Sequence, residues 1–329
     1  MVFLNQPSAR RRVAQLAAAL SLLALPTTSL FGRDSSRSVS APEKDNSVEA
    51  QLKSFTIDPR LEIKPFADET MGISNPICFR WDARGRLWVL CTWAYPQLKP
   101  GEKPNDKLLI LEDTKGDGKA DKISTYADGL NMPTGFALGH GGAYIGNGRD
   151  LIHVRDTNGD GKADERDVLF TGFGTGDTHQ NINSFAWSPG GELFFSQGLH
   201  CFSRVQTPWG IRRLDEHGSW RLRPLRRQLH AHRRTSGGGN PWGFAFGDWG
   251  EPFIKSNVPG ISELLPGMVA SEQIIGGYWG GAVQIGGTKI KSMIIEIVDS
   301  PHLPKDLQGD FLIAGYFARN IARLRPSVS

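Results

Sequence analysis

An all-β fold of repeated four-stranded units is what this sequence predicts, and three observations predict it. A strand–glycine turn–strand pattern recurs along the chain at intervals near fifty residues. Thirty-nine glycines and 20 prolines supply tight turns at high density. The apolar runs between those turns are short, aromatic and β-branched, which suits strands and not long helices. A repeat of this length built from strands is that of a β-propeller, whereas a β-sandwich has no such period. At 329 residues, 39% of them hydrophobic, one domain of this kind is ordinary. The expectation is six blades, the last of them short of strands.

The elements follow in chain order. Residues 1–31 read as an export signal. Arg10-Arg-Arg12 is the basic region, Val13 to Leu25 the apolar region, and small residues follow at Thr27 to Ser29. The apolar region is too short to span a bilayer comfortably, and no later stretch is long and apolar enough. An exported protein is expected, periplasmic or cell-surface associated, with no transmembrane span after the signal. Residues 32–54 are rich in Ser, Pro and charge and read as a disordered linker. The propeller is expected over 55–329, with Phe55 to Phe66 as a strand available to close the ring.

The inner hairpins run Cys78 to Val89, Thr134 to Ile145, Phe185 to Ser196 and Trp242 to Ile254, with a half-match at Gly309 to Ala314. Their turn glycines, Gly85, Gly142, Gly191, Gly250 and Gly309, are spaced 57, 49, 59 and 59 residues apart. In the third hairpin Ser188-Pro-Gly-Gly191 places Pro at the second turn position, and Gly supplies positive φ. Lys107 to Glu112 and Asp150 to Arg155 read as outer strands.

Net charge is +4, from 38 Lys+Arg against 34 Asp+Glu, so composition gives no nucleic-acid signal. Nine arginines do fall between Arg204 and Arg234, but no recognition helix or RNA-binding motif accompanies them. Such a run is ordinarily a solvated face. Cys78, Cys91 and Cys201 are an odd set and read as buried free thiols. There is no C-x-x-C-H, so the chain carries no c-type haem.

Two acidic loops follow outer strands. Asp156-Thr-Asn-Gly-Asp-Gly-Lys-Ala-Asp-Glu-Arg-Asp167 has calcium-loop spacing. Asp156, Asn158, Asp160, Asp164 and Asp167 would supply side-chain oxygens, and Lys162 only its carbonyl. The copy at Asp113 to Asp121 puts Lys115 at a ligand position, which argues against binding there. The alternative for both is an Asx-type hairpin turn. A Ca2+ ion, if held, is structural.

His179 is the candidate base. It opens the third hairpin amid Asp177, Gln180, Asn181 and Asn183, and a carboxylate such as Asp177 would fix its tautomer. The bland alternative is a histidine that satisfies backbone groups at a propeller mouth.

The hairpin after His179, the Asn240-Pro-Trp-Gly-Phe segment and Leu303-Pro-Lys-Asp-Leu-Gln-Gly-Asp-Phe-Leu-Ile-Ala314 resemble the soluble quinoprotein glucose/sorbosone dehydrogenases. With Gly-Asp-Thr-His179 and the acidic loops added, the chain looks closer to the bacterial membrane-bound dehydrogenase domain family. The resemblance covers roughly residues 60–325. It implies a six-bladed propeller binding pyrroloquinoline quinone (PQQ) and Ca2+ at one mouth, dehydrogenating a sugar or alcohol, with a cytochrome c as electron acceptor. It implies His179 as catalytic base with Asp177 beside it, and Asn240, Gln197, Pro259 and Glu263 as cofactor contacts. One departure counts against it: Gly239 stands where those relatives carry a cofactor-binding arginine. A non-catalytic propeller binding a glycan or protein at its mouth is the alternative.

Overall fold

A computed structural model describes residues 45–233, 240–256, 260–264, 282–287, 292–315 and 319–326. The chain divides at Ser47/Val48 into two compact units, and the second carries every strand among the described residues. Its first element is α1 (Val48–Ser54), a helix where the composition suggested disordered linker. Short as it is, it carries Glu49 in its first turn and Lys53 in its last, each favourable to the helix dipole.

The first sheet is β1 (Pro76–Trp81), β2 (Leu87–Cys91), β3 (Asp106–Glu112) and β4 (Lys122–Leu130), paired in that order. The second is β5 (Pro133–Gly139), β6 (Gly142–Asn147), β7 (Asp150–Arg155) and β8 (Glu165–Thr171). The third consists of β9 (Asn183–Trp187), β10 (Leu193–Gln197), β13 (Gly218–Arg223) and β14 (Gln228–Arg233). A two-stranded ribbon, β11 (Phe202–Thr207) with β12 (Gly210–Asp215), is inserted between β10 and β13. The fourth has β15 (Pro241–Phe246), β16 (Pro252–Ser256), β17 (Gly260–Leu264) and β18 (Ala282–Gly287). The fifth has three strands, β19 (Ser292–Ile297), β20 (Phe311–Gly315) and β21 (Asn320–Leu324). All pairings within these sheets are antiparallel. This is a β-propeller. Four four-stranded blades and a three-stranded sheet lie among the described residues, and a sixth blade does not.

First strands of successive sheets touch, β1 on β5, β5 on β9, β9 on β15 and β15 on β19, so they line the axis. The core is a set of layers between blades. Trp88, Leu108 and Ile110 meet Phe136, Ile145 and Ile152 between the first and second sheets. Tyr144, Leu151 and Phe170 meet Phe185, Phe195 and Trp220 between the second and third. Phe194 meets Phe244 and Ile254, and Ala245 and Ile261 meet Ile295 and Ile313. Side chains alternate along each strand, so each blade serves two layers.

A single repeat position shows the consequence. Phe136, Phe185 and Phe244 are 0%, 1% and 6% exposed because each packs on the blade before it, while Phe79 is 58% exposed. Among the described residues no sheet precedes the first. Burying such a ring contributes about 1.5–3 kcal/mol, so the ring-closing face is the least stabilised. The stretch 55–66, expected as a strand, is irregular instead. It still stands in for an outer strand. Ala120 N–H donates to the Phe66 carbonyl at 2.8 Å, just as Ala163 N–H donates to that of Tyr126, on β4, at 2.7 Å. Phe66 packs edge-on against Trp81, and Arg60 pairs at 2.6 Å with Asp306, in the turn between β19 and β20.

Turn chemistry follows the sequence with one adjustment. Gly85, Gly191, Gly250 and Gly309 all adopt positive φ, but in the second blade that role falls to Gly141, at φ 78°. Gly142 is needed for space, since a Cβ there would lie 1.9 Å from the Val154 carbonyl oxygen. All three cysteines are free. The arginines of the third blade pair locally, Arg204 with Asp215 at 2.5 Å and Arg223 with Glu192 at 2.5 Å.

Candidate active site at the propeller mouth

β9 begins, and β2 ends, at the same end of the blades, so the turn before β9 and the loop after β2 meet there. The turn is a short 3-10 segment, Thr178–Gln180, capped by Asp177. Asp177 Oδ1 accepts from the His179 backbone N–H at 3.0 Å and lies 2.9 Å from His179 Nδ1. One carboxylate oxygen therefore fixes both the backbone and the ring. With Nδ1–H donated to Asp177, the lone pair sits on Nε2. The His179 side chain is 52% exposed, so Nε2 is open to a ligand.

Beneath it the turn is held rigidly. Cys201 Sγ donates to the Gln180 carbonyl at 3.2 Å, and Gly198 N–H donates to the same oxygen at 3.0 Å. Burial pushes the Cys201 thiol up to about 11, with the Asp177 charge adding to the rise, so it is inert at neutral pH. Gln180 and Asn181 are 3% and 1% exposed, and the side-chain oxygen of each has no hydrogen-bond partner among the described residues.

The second wall comes from the first blade. Asp106, fully buried, accepts from Thr92 Oγ1 at 2.8 Å and from the N–H groups of Trp93, Ala94 and Met132 at 2.6, 3.1 and 3.1 Å. This clasp aims residues 93–96 at the third blade. Thr178 Oγ1 donates to the Pro96 carbonyl at 2.8 Å, and Tyr95 meets His179 edge-to-face, centroids 5.1 Å apart at 85°. Neither Asp106 nor Tyr95 stands out in the sequence. An aromatic pair in a long inter-strand loop, Trp93-Ala-Tyr95, is the signal that would have found them.

The expected cofactor residues do not gather as a set. Gln197 is fully buried within the third blade. Its Nε2 lies 2.6, 3.1 and 2.6 Å from the carbonyls of Cys201, Leu214 and Glu216, and its Oε1 accepts from Ser203 Oγ and Trp220 Nε1. Nothing on it is left for a cofactor. Pro259 lies outside the described residues, as does Gly239, and Glu263 is placed on β17 by its backbone alone. Asn240 does fit a ligand contact. It precedes β15 as Asn181 and Ile182 precede β9, and its Oδ1 is buried with no hydrogen-bond partner among the described residues.

The acidic loops use their oxygens on themselves. Asp156 accepts from Gly159 and Gly161 N–H at 2.7 and 2.8 Å, Asn158 from Asp160 N–H, Asp160 from Lys162 N–H, and Asp164 from Thr157 N–H. Asp167 bonds Arg155 at 2.9 Å on β8. Asp113 repeats the pattern with Gly116 and Gly118, and Lys115 pairs with Asp121 at 3.4 Å. Among the described residues no three His, Cys, Asp or Glu side chains gather to hold a metal ion. In this arrangement the side-chain oxygens accept from the loop's own backbone N–H groups, as in an Asx turn.

Residues 47–274, more than half of the chain, match the family described as a domain of unknown function, DUF7133. The chain belongs to that family. No curated protein matches it. Among solved structures, the DUF7133 chain is similar to one from Thermus thermophilus provisionally named an oxidoreductase (glucose dehydrogenase). Identity is 16%, coverage 78% of this chain and 81% of that one, and TM-score 0.51. A protein provisionally named a gluconolactonase shares 17% identity over 80% and 77% of the chains, TM-score 0.49. A virginiamycin B lyase from Staphylococcus aureus shares 10% over 78% and 86%, TM-score 0.43. At these identities the likeness to the first is one of fold, and fold alone does not assign chemistry. No helix among the described residues of this DUF7133 chain is long and apolar enough to cross a membrane.

Proposed function

We propose that the chain is an exported oxidoreductase that dehydrogenates a sugar or alcohol, with His179 as its general base. The observation that carries this reading is the Asp177–His179 pair, which leaves an oriented and open Nε2 at the propeller mouth. A substrate hydroxyl within hydrogen-bond reach of Nε2 gives up its proton to the imidazole as its carbon is oxidised. Asp177 stabilises the imidazolium that results and keeps the ring from turning. When bound, a quinone of the kind the resemblance implies would supply the hydride acceptor, and Asn240 would help hold it. A cytochrome c is the partner that would then take the electrons.

The glycan- or protein-binding alternative is favoured by one observation, the complete internal use of Gln197. Reconstitution separates the two. The purified chain is loaded with PQQ and Ca2+ and dye reduction is followed over a panel of sugars and alcohols. Turnover that His179→Ala abolishes, and that Asp177→Asn lowers by about a hundredfold, is the expected result. Absence of quinone uptake and of dye reduction by the folded protein would remove the oxidoreductase reading.

A further inference from the structure

The loop of residues 92–105 belongs to the first blade, yet its aromatic tip stands against a turn of the third. Two anchors hold it there: the Asp106 clasp at its base and the Thr178–Pro96 bond at its tip. A loop fixed this firmly would ordinarily bury its aromatic ring, but Tyr95 is 42% exposed. Its neighbour Trp93 is 43% exposed and has Lys107 over its ring at 5.3 Å. An exposed ring on a pinned loop beside an open histidine suggests a ligand surface.

We infer that Tyr95 determines the specificity of the His179 site, its ring being the platform on which a cyclic sugar lies. The inference rests on the reading of this mouth as a sugar- or alcohol-oxidising site and narrows it to pyranoses. The two ring planes stand at 85° with centroids 5.1 Å apart, so phenol and imidazole form two walls of one corner. A pyranose has the matching shape, with apolar C–H faces and hydroxyls around its edge. Laid on the tyrosine it holds its rim hydroxyls beside the imidazole, whose Nε2 accepts in the plane of its ring. A small aliphatic alcohol has no such face and gains little from the ring. The charge in contact with the imidazole is the negative one of Asp177, which favours a neutral hydroxyl over an anionic ligand. The bland reading is a tyrosine that merely packs its loop.

Calorimetric titration of the full chain with D-glucose, D-galactose and 1-propanol, without added quinone, decides between them. Tyr95→Ala should weaken hexose binding about tenfold, equivalent to about 1.4 kcal/mol, and leave 1-propanol unchanged. Tyr95→Phe, which keeps the ring, should stay within about twofold of the parent, because stacking depends on the ring's apolar face and not on the hydroxyl. His179→Ala should lose turnover in the reconstituted dye assay. Hexose affinity unchanged in Tyr95→Ala, or lost equally in Tyr95→Phe, overturns the inference. So does a parent protein that binds hexoses no better than 1-propanol. Hexose binding that follows this pattern without any dye reduction supports the platform and counts only against the oxidoreductase. Tyr95→Leu, whose apolar side chain can still pack the loop, serves if Tyr95→Ala does not fold: weakened hexose binding there supports the platform, and parent-like binding overturns it.

Discussion

Gln197→Ala is expected to be among the more damaging single substitutions in the third blade. The side chain is fully buried and touches five polar partners. Removing it leaves the Ser203 hydroxyl and the Trp220 indole N–H without this acceptor and takes the amide's donors away from the carbonyls around it. A buried donor left unsatisfied costs about 1–3 kcal/mol. The two donors together, with the small cavity, suggest a loss of about 3–5 kcal/mol. Against a typical 5–15 kcal/mol for a domain, that loss would be plain in a urea unfolding curve. Intrinsic tryptophan fluorescence follows the transition. A midpoint within about 1 kcal/mol of the parent would refute the reasoning and return Gln197 to the pool of ligand contacts.

Three further outcomes are expected. Gly142→Ala, whose Cβ would fall 1.9 Å from the Val154 carbonyl oxygen, should destabilise by at least about 2 kcal/mol. Gly85→Ala, at φ 74° with open space around it, should cost only about 1–2 kcal/mol, so urea midpoints should rank the two. Burial pushes the amine of Lys255 down to about 8 from an ordinary 10.5. The unfolded chain then binds more protons between those values, so stability should rise with pH across that window. The shift is equivalent to about 3 kcal/mol, and the slope should vanish in Lys255→Met when unfolding is compared at pH 7.5 and 9.5. Asp156→Ala removes two backbone hydrogen bonds and should lower stability by about 1–2 kcal/mol, with EDTA making no difference. A calcium-dependent gain in Tm that the substitution abolishes would contradict the turn reading of that loop.

The sequence by itself determined what is local. The hairpins, their glycine turns and the acidic loops are set by strand alternation and by φ requirements within about ten residues, so they could be read directly. The Asp177–His179 pair was legible for the same reason, being two residues apart. What depends on contacts between blades was not. The identical look of Phe79 and Phe136 hides burial of 58% and 0%, because the difference lies in the blade that packs against each. The internal network of Gln197 is invisible in the sequence because its partners, Ser203, Leu214 and Trp220, come from the inserted ribbon and the next strand. Tyr95 reaches His179 across 84 positions of sequence only because Asp106 turns its loop inwards. Periodicity fixes which residues form strands, but the side chains brought together at the mouth are chosen by how those strands pack.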